Sequence, residues 1–304
     1  MKEIKITDFE NVQIGQAEDQ IGKTGVTVFL LGKDGMPAGI DVRGGGPASR
    51  EIQLLSPLSS TNIIHAIVLA GGSAFGLDAA GGVMEYLEEQ GVGFDVGVTK
   101  VPLVCQSDIF DLTVGDCKAR PTKEMARKAC ESAGNYQDGQ HGAGTGATVG
   151  KLMGMEGSMK SGIGSYAVQI GELKVGAVVV VNALGDIYDW HENRKIAGLH
   201  DPETGEFIDS SEVLYSRIER KDNKFVGNTT LAVVLTNGKF SKSELCKIAS
   251  MSHNGYARAI RPVHTSADGD SIYAVSTGSV NADTDTVGEL AAMVVAEAIK
   301  VAVL

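Results

Sequence analysis

Asn228, Thr229 and Thr230 place an amide side chain and two hydroxyls directly before an apolar run over residues 231–235. The run is rich in β-branched and aliphatic residues, a composition that predicts a buried strand. Attack of the Thr229 hydroxyl on the Asn228 carbonyl would break the chain between these residues. Thr229 would then carry a hydroxyl and a free α-amine, which together form a nucleophile and its base.

Two other interpretations fit the same three residues. Asn228-Thr229-Thr230 matches the acceptor pattern for N-glycosylation, which requires a secretory route. Residues 1–6, Met-Lys-Glu-Ile-Lys-Ile, lack the apolar region of a signal peptide, so we expect a cytoplasmic protein. The simplest interpretation is that Asn and Thr open a strand after a turn. Local sequence alone favours this simplest interpretation over the nucleophile, and only the rest of the chain can overturn it.

Composition limits the classes of protein that the chain can belong to. With 304 residues, 43% of them hydrophobic, it can bury a large core as one or two domains. The formal charge of -11 argues against a nucleic-acid or anionic-lipid surface, and no apolar run is long enough for a membrane span. The four cysteines and six histidines show no metal-ligand spacing. We therefore expect no metal and no cofactor, and cysteines that act as small buried hydrophobes in a reducing compartment.

Apolar patterning predicts sheets of antiparallel or mixed type covered by helices, which is an α+β class. The Asp34-Gly35 pair predicts a hairpin between the strands on either side of it. Ser241 and Glu244 form a capping box at the start of a helix. The predicted strands cover residues 4–12 (an edge strand), 24–31, 38–42, 63–70, 174–183 and 271–276, and the other predicted helices cover 77–89 and 286–303.

Lys151 follows a glycine-rich stretch, residues 142–150, which superficially matches nucleotide-binding motifs. No apolar strand precedes the stretch, and Leu152 stands where a P-loop needs Ser or Thr, so we reject nucleotide binding. Lys151 in this small-residue setting is either a solvated surface lysine or a desolvated ammonium. A desolvated ammonium would lower the pKa of a neighbouring group or take part in proton transfer.

Three more polar residues lie at the ends of predicted strands. Asp268 and Asp270 precede a strand and could form a turn, bind a cation, or orient an ammonium and relay a proton. A calcium loop would need further ligands that the sequence lacks. Asn182 ends an apolar strand, where its amide could satisfy backbone groups or stabilise an oxyanion.

Five blocks stand out along nearly the whole chain: Gly-Gly-Ser-Ala-Phe-Gly-Leu-Asp-Ala-Ala at 71–80, Gly-Ala-Gly-Thr-Gly-Ala-Thr-Val-Gly-Lys at 142–151, Val-Val-Asn-Ala-Leu-Gly-Asp at 180–186, Asn-Thr-Thr-Leu at 228–231 and Asp-Gly-Asp at 268–270. Together and in this order they resemble the L-aminopeptidase/D-esterase, β-aminopeptidase and nylon-oligomer hydrolase family, peptidase family S58. Bacterial β-aminopeptidases of this family use Ser as nucleophile and a Ser-Gly-acid motif. Thr229 and the Asp-Gly-Asp motif therefore resemble the nylon-oligomer hydrolase branch more closely.

The resemblance implies a four-layer αββα sandwich, a single hydrolase domain over residues 1–304 and a homo-oligomer. It also implies self-cleavage between Asn228 and Thr229 into an α chain, 1–228, and a β chain, 229–304. The family's functional residues match this chain at five positions: Thr229 as nucleophile, Lys151 as the lysine near it, Asn182 as the oxyanion donor, and Asp268 and Asp270 as the acidic pair.

The expected reaction is hydrolysis of a small aminoacyl amide, peptide or ester through an acyl-enzyme on Thr229. We place Gly72, Ser73 and Phe75 in a pocket wall, although close helix–strand packing explains the glycines equally well. Two alternatives stay open. The first is a Thr-nucleophile acetyltransferase of the ornithine acetyltransferase kind, which passes the acyl group to an amine, and the second is a non-catalytic scaffold that retains the fold.

Overall fold

The structure, a computed structural model, describes residues 1–216, 218 and 227–304. Its α-helices are α1 Ala79–Glu89, α2 Lys123–Glu131, α3 Ser210–Ser216, α4 Lys242–Ala259 and α5 Thr284–Val301. Its strands are β1 Lys2–Ile4, β2 Gln13–Asp19, β3 Thr24–Leu30, β4 Ala38–Val42, β5 Ala48–Arg50, β6 Ala66–Ala70, β7 Phe94–Asp95, β8 Lys100–Val101, β9 Val104–Asp108, β10 Thr148–Val149, β11 Met159–Lys160, β12 Ile163–Ile170, β13 Leu173–Asn182, β14 Asp186–Asp189, β15 Arg194–Ala197, β16 Thr229–Gly238, β17 Ile260–Arg261 and β18 Ser271–Val280.

Two large sheets form the centre of the fold. The larger sheet has the strand order β1-β12-β13-β16-β18-β4, and the smaller has the order β2-β3-β6-β9-β5. Strand β16 is antiparallel to β13 on one side and parallel to β18 on the other, so both of its edges are paired. The sheets are therefore mixed, as the patterning predicts.

Side chains of β16 alternate between two hydrophobic cores. Leu231, Val233 and Leu235 pack between the two sheets, whereas Ala232 and Val234 pack toward α4 and α5. The outer face of the smaller sheet packs against α1 and α2 in a third core. The layer order is thus helices, sheet, sheet, helices, and the predicted four-layer αββα sandwich is confirmed.

Side chains cap the N-termini of α4 and α5. Ser241 accepts a hydrogen bond from the Glu244 N–H, and the Glu244 carboxylate accepts one from the Ser241 N–H, so the predicted capping box of α4 is confirmed. Asp283 caps α5 in the same way, through the N–H of Thr286. The Ala- and Val-rich side of α5 packs on the larger sheet.

The hairpin predicted around Asp34-Gly35 is wrong. Both strands exist, but β3 pairs with β2 and β6 in the smaller sheet, whereas β4 pairs with β18 in the larger one. A turn signal reports only local geometry, and here long-range pairing with buried strands decides the partners. The edge strand predicted over residues 4–12 is wrong for most of that range, since β1 ends at Ile4 and a 3₁₀ turn over Ile6–Asp8 follows.

Among the described residues, no helix has the length and apolarity needed to cross a bilayer. The same part of the chain contains no group of three or more His, Cys, Asp or Glu side chains placed to hold a metal ion. Cys105 and Cys130 are buried, as we expect from sequence, whereas Cys117 is exposed.

Close packing of α4 on α5 depends on Gly255, where a Cβ would lie 2.4 Å from the carbonyl oxygen of Ala292. We expect Gly255→Ala to lower the free energy of unfolding by about 1–3 kcal/mol, because the backbones must move apart. The matched control is Asn254→Ala, at an exposed position of the same helix. Thermal unfolding measures both, and equal midpoints for the two variants would contradict the packing argument.

Candidate active site at the start of β16

Thr229 is the first residue of β16 and lies opposite Asn182, the last residue of β13, in the antiparallel ladder. By strand alternation, Thr229 shares the inter-sheet face with Leu231, and Asn182 shares it with Val180. Both side chains are buried. The two residues that the sequence places at strand ends therefore meet at one edge of the inter-sheet core.

The carbonyl oxygen of Asn228 accepts two hydrogen bonds. The Thr229 hydroxyl donates one at 2.5 Å, and the backbone N–H of Gly269 donates the other at 2.8 Å. A Cβ at Gly269 would lie 2.6 Å from the Thr229 Oγ1, which explains why glycine stands there. The hydroxyl oxygen of Thr229 thus lies beside a carbonyl that a backbone donor polarises.

Lys151 is brought to the same place by a turn at Gly150, whose φ is +72°. Its Nζ donates to the backbone carbonyl of Asn182 at 3.0 Å and to the Asn182 Oδ1 at 2.7 Å. Burial of the ammonium lowers the pKa of Lys151 to about 7, and the charges of Asp268 and Asp111 oppose that shift. Of the two alternatives that the sequence allows, a solvated surface lysine and a desolvated ammonium, Lys151 is the second.

The Asn182 amide is held by hydrogen bonds at both ends. Its Oδ1 accepts from Lys151 and from the Thr148 N–H, the latter at 3.1 Å, and its Nδ2 donates to the carbonyl of Phe110 at 2.9 Å. An amide nitrogen carries two N–H groups. One of them is used by Phe110, so an oxyanion would have to be met by the other.

The acidic pair is divided between two tasks. Asp268 accepts from the N–H of Thr265 at 2.8 Å and from its hydroxyl at 2.5 Å, so it closes its own loop. Burial, followed by the charge of Asp270, raises the pKa of Asp268 to about 6. Asp270 accepts from the backbone N–H of Thr230 at 2.8 Å and thereby holds the residue after Thr229.

Phe110 and Asp111 also belong to the site, although the sequence did not single them out. The Phe110 ring fills the space where Gly227 would carry a Cβ, at 2.4 Å from ring atom Cγ. Asp111 accepts from the Thr24 hydroxyl and from the Gly72 N–H, both at 2.7 Å, and its negative charge acts on Lys151. Neither residue lies in a sequence pattern that indicates chemistry. Phe110 moreover contributes through its backbone carbonyl, which residue type does not signal.

The proposed pocket-wall residues lie at different depths. Gly72 is bonded to Asp111, and the Ser73 N–H donates to the Ile109 carbonyl, so this loop packs on the segment that reaches Asn182. The Phe75 ring is 59% exposed and lies under the Arg120 guanidinium, with 3.5 Å from Cζ to the ring centre. Phe75 therefore packs at the surface.

Comparison with known sequences gives a match over nearly the whole chain. Residues 5–304 match the sequence model of peptidase family S58. An uncharacterized aminopeptidase of Mycobacterium leprae is 38% identical over 298 residues, which cover 91% of this chain and 79% of that protein. A 6-aminohexanoate-oligomer endohydrolase of Agromyces sp. is 31% identical over 283 residues, which cover 91% of this chain and 76% of the other.

Solved structures show the same fold at low sequence identity. The L-aminopeptidase D-Ala-esterase/amidase of Ochrobactrum anthropi, described as a variant of the Ntn hydrolase fold, has a TM-score of 0.72 at 18% identity, over 98% of this chain and 85% of that one. The PH0078 protein of Pyrococcus horikoshii has a TM-score of 0.70 at 21% identity, over 98% and 86% of the two chains.

The buried ammonium of Lys151 predicts a dependence of stability on pH. Its pKa is about 7 in the fold and about 10.4 in an unfolded chain, so between these values the unfolded state binds more protons. The contribution of Lys151 to the free energy of unfolding should therefore become more favourable as the pH rises above 7. We expect the free energy of unfolding, measured with denaturant from pH 7 to 9.5, to rise relative to that of Lys151→Met.

Both chains should carry Thr229→Ala, so that no backbone cleavage occurs during the measurement. Lys160→Met, at an exposed position, is the matched control. Its free energy of unfolding should follow that of the parent chain, which carries Thr229→Ala alone, at every pH. Curves for the parent and Lys151→Met that run parallel across this range would show that Lys151 keeps an ordinary pKa.

Proposed function

The chain belongs to peptidase family S58, and from that membership we propose that it is a self-processing N-terminal-nucleophile amide hydrolase that uses Thr229. One observation carries the proposal. The Thr229 hydroxyl lies 2.5 Å from the oxygen of the Asn228 carbonyl, which the Gly269 N–H also contacts. A hydroxyl beside a polarised peptide carbonyl is the arrangement that an N-to-O acyl shift requires.

Processing begins with attack of the Thr229 Oγ1 on the carbonyl carbon of Asn228. The Gly269 N–H stabilises the negative charge that develops on the carbonyl oxygen. The C–N bond then breaks, the hydroxyl proton passes to the departing nitrogen, and an ester joins Asn228 to the Thr229 oxygen. Water hydrolyses this ester, which leaves a carboxylate on Asn228 and a free α-amine on Thr229.

Catalysis uses the same oxygen with the new α-amine as its base. An α-amine has an unperturbed pKa of about 7.7–8.0, so a substantial fraction is neutral at physiological pH. Lys151 donates a hydrogen bond to Asn182, which lies opposite Thr229, and in its protonated form it favours the neutral amine. Asp268, Asp270 and Asp111 supply the negative charge that keeps two nitrogen bases tolerable in a buried site.

Substrate hydrolysis passes through an acyl-enzyme. The amine of the substrate leaves when the tetrahedral intermediate collapses, and water then releases the acid. We assign the Asn182 Nδ2 as an oxyanion donor, a role worth about 3–4 kcal/mol where such donors have been removed. The chemistry uses protein groups alone, so we propose no metal and no cofactor.

The named relatives favour water over an amine as the acyl acceptor. One is named an aminopeptidase and another a 6-aminohexanoate-oligomer endohydrolase, which are hydrolases. We propose small aminoacyl amides, peptides and esters as the substrate class, with 6-aminohexanoate oligomers among the first to screen. We further propose one hydrolase domain over residues 1–304, cytoplasmic and homo-oligomeric, that is cut into 1–228 and 229–304.

Intact mass under denaturing conditions, with N-terminal sequencing, tests the proposal directly. We expect two chains, the shorter of which begins Thr229-Thr230-Leu231. Thr229→Ala should remain a single chain without amidase activity, whereas Thr229→Ser keeps a hydroxyl and should still be cut. An uncut wild-type chain after long incubation at neutral pH, or activity in Thr229→Ala, would contradict the proposal.

Gly269→Ala tests the contact at the nucleophile. The new methyl would lie 2.6 Å from the Thr229 Oγ1, so the hydroxyl must move away from the carbonyl. We expect self-cleavage to slow by about tenfold or more, since small displacements of reacting groups have large effects on rate. Gly46→Ala is the matched control, because its methyl would meet no atom closer than 3.9 Å. Equal cleavage rates in the two variants would contradict the role proposed for the contact between residue 269 and the Thr229 hydroxyl.

A further inference from the structure

His264 lies directly behind Asp270. Its Nδ1 is 2.8 Å from the Asp270 Oδ2, and its backbone N–H donates to the same oxygen at 3.2 Å. The other oxygen of Asp270, Oδ1, accepts from the Thr230 N–H. A continuous polar connection therefore runs from the imidazole, through the carboxylate, to the residue that follows Thr229.

The Asp270 carboxylate holds the beginning of β16, because it accepts the hydrogen bond that a backbone carbonyl would accept in a regular sheet. The parallel ladder with β18 pairs Leu231 with Ser271, and Asn228 bridges to Asp268. Between those two points, the Thr230 N–H is bonded to a side chain. A rotation of the Asp270 carboxylate would release that N–H, and with it the backbone that carries the Thr229 hydroxyl.

The His264 ring is fixed by aromatic packing. It meets His253 edge-on, with 4.7 Å between ring centres, and it lies 5.8 Å from the Tyr256 ring. His264 also has a φ of +57°, a left-handed conformation that costs energy for a residue other than glycine. Such backbone strain persists where the surrounding structure demands a particular side-chain position.

We propose that His264 is a positioning residue for the Thr229 nucleophile, which acts by holding the Asp270 carboxylate in its hydrogen bond to the Thr230 N–H. The inference rests on the proposed function, because the reaction that it serves is the attack of Thr229. No member of the connection beyond Thr229 touches the reacting carbonyl, so His264 acts only through Asp270.

The charged and titratable groups around His264 come from the loop before β18, from α4 and from the end of β4. Asp270 and Asp268 lie in that loop, where Asp270 faces His264 and Asp268 feels the charge of Asp270. From α4 come Tyr256 and His253, and burial lowers the pKa of His253 to about 4, which keeps that ring neutral. Behind His253 lie Asp41, at the end of β4, and Arg43, just after it.

Loss of the His264 ring should therefore alter the protonation of the acidic pair. Asp270 would lose a donor, and its charge would be less compensated in a buried place. The pair of carboxylates would take up its first proton at a higher pH than in the wild type. A purely structural role for the ring gives no reason for such a shift.

The test compares His264→Asn with His264→Gly in the full chain, with self-cleavage rate as the readout. Both residues accept a positive φ, and the Asn amide can replace Nδ1 as the donor to Asp270. We expect Gly to slow cleavage by about 10- to 100-fold, consistent with loss of a hydrogen bond to a charged group, and Asn to stay within about threefold of wild type.

Rates measured from pH 5 to 8 add the second readout. The acidic limb of the rate profile, where the cleavage rate falls as the pH is lowered, should move to higher pH in His264→Gly. In His264→Asn it should stay near that of the wild type. The same two substitutions in a Thr229→Ala background, followed by thermal unfolding, show whether each variant is folded. A folded chain is needed for the rate comparison, and an unfolded His264→Gly is replaced by His264→Ala, which also lacks a side-chain donor, in the same test.

Several outcomes would overturn the inference. A wild-type cleavage rate together with a wild-type acidic limb in the donor-free variant would show that the polar connection from His264 to Thr230 does not affect the reaction. Equal slowing in the Asn variant and the donor-free variant would assign the effect to ring packing alone. A wild-type chain that never cleaves would overturn the proposed function itself and the inference with it, which separates that failure from the first two.

Discussion

The chemistry of this fold depends on how firmly the peptide between Asn228 and Thr229 is held. Strand β16 is paired along both edges, so the ladder opposite Asn182 and the bridge to Asp268 fix the peptide from two sides. Movement of this peptide would break the register of a strand buried between two cores. Positioning of the Thr229 hydroxyl is thus a property of the whole sandwich, which supplies a rigid support for the site.

Charge compensation is the second requirement of the site. One buried ammonium, Lys151, feels the charges of two buried carboxyl groups, Asp268 and Asp111, and each of the three groups would be costly to bury alone. Burial shifts the pKa of Lys151 down to about 7 and that of Asp268 up to about 6, so both are brought close to neutral pH. A site tuned in this way can release or accept a proton near neutral pH with little change in free energy.

Thr229 and Asn182 could be placed at strand ends from sequence because each adjoins a strongly apolar run, whereas Lys151 follows no such run and only the family resemblance placed it near Thr229. Lys151 and Asn182, which the sequence separates by 30 residues, meet at 2.7 Å. The contributions of Gly269 and Phe110 escaped prediction because they come from a backbone N–H and a backbone carbonyl, which no residue type signals. The partners of β3 and β4 escaped it because a local turn does not determine which sheet a strand joins.

If Thr229 attacks the Asn228 carbonyl during processing and a substrate carbonyl afterwards, the two carbonyl carbons must occupy one position. The hydroxyl is fixed by β16, and the Gly269 N–H is fixed by the loop before β18, so neither can serve a second location. Asn228 is itself buried, so its departure after cleavage opens a space that reaches the nucleophile. The uncut chain is then an enzyme occupied by its own product, and the acyl part of a substrate must fit where Asn228 lay.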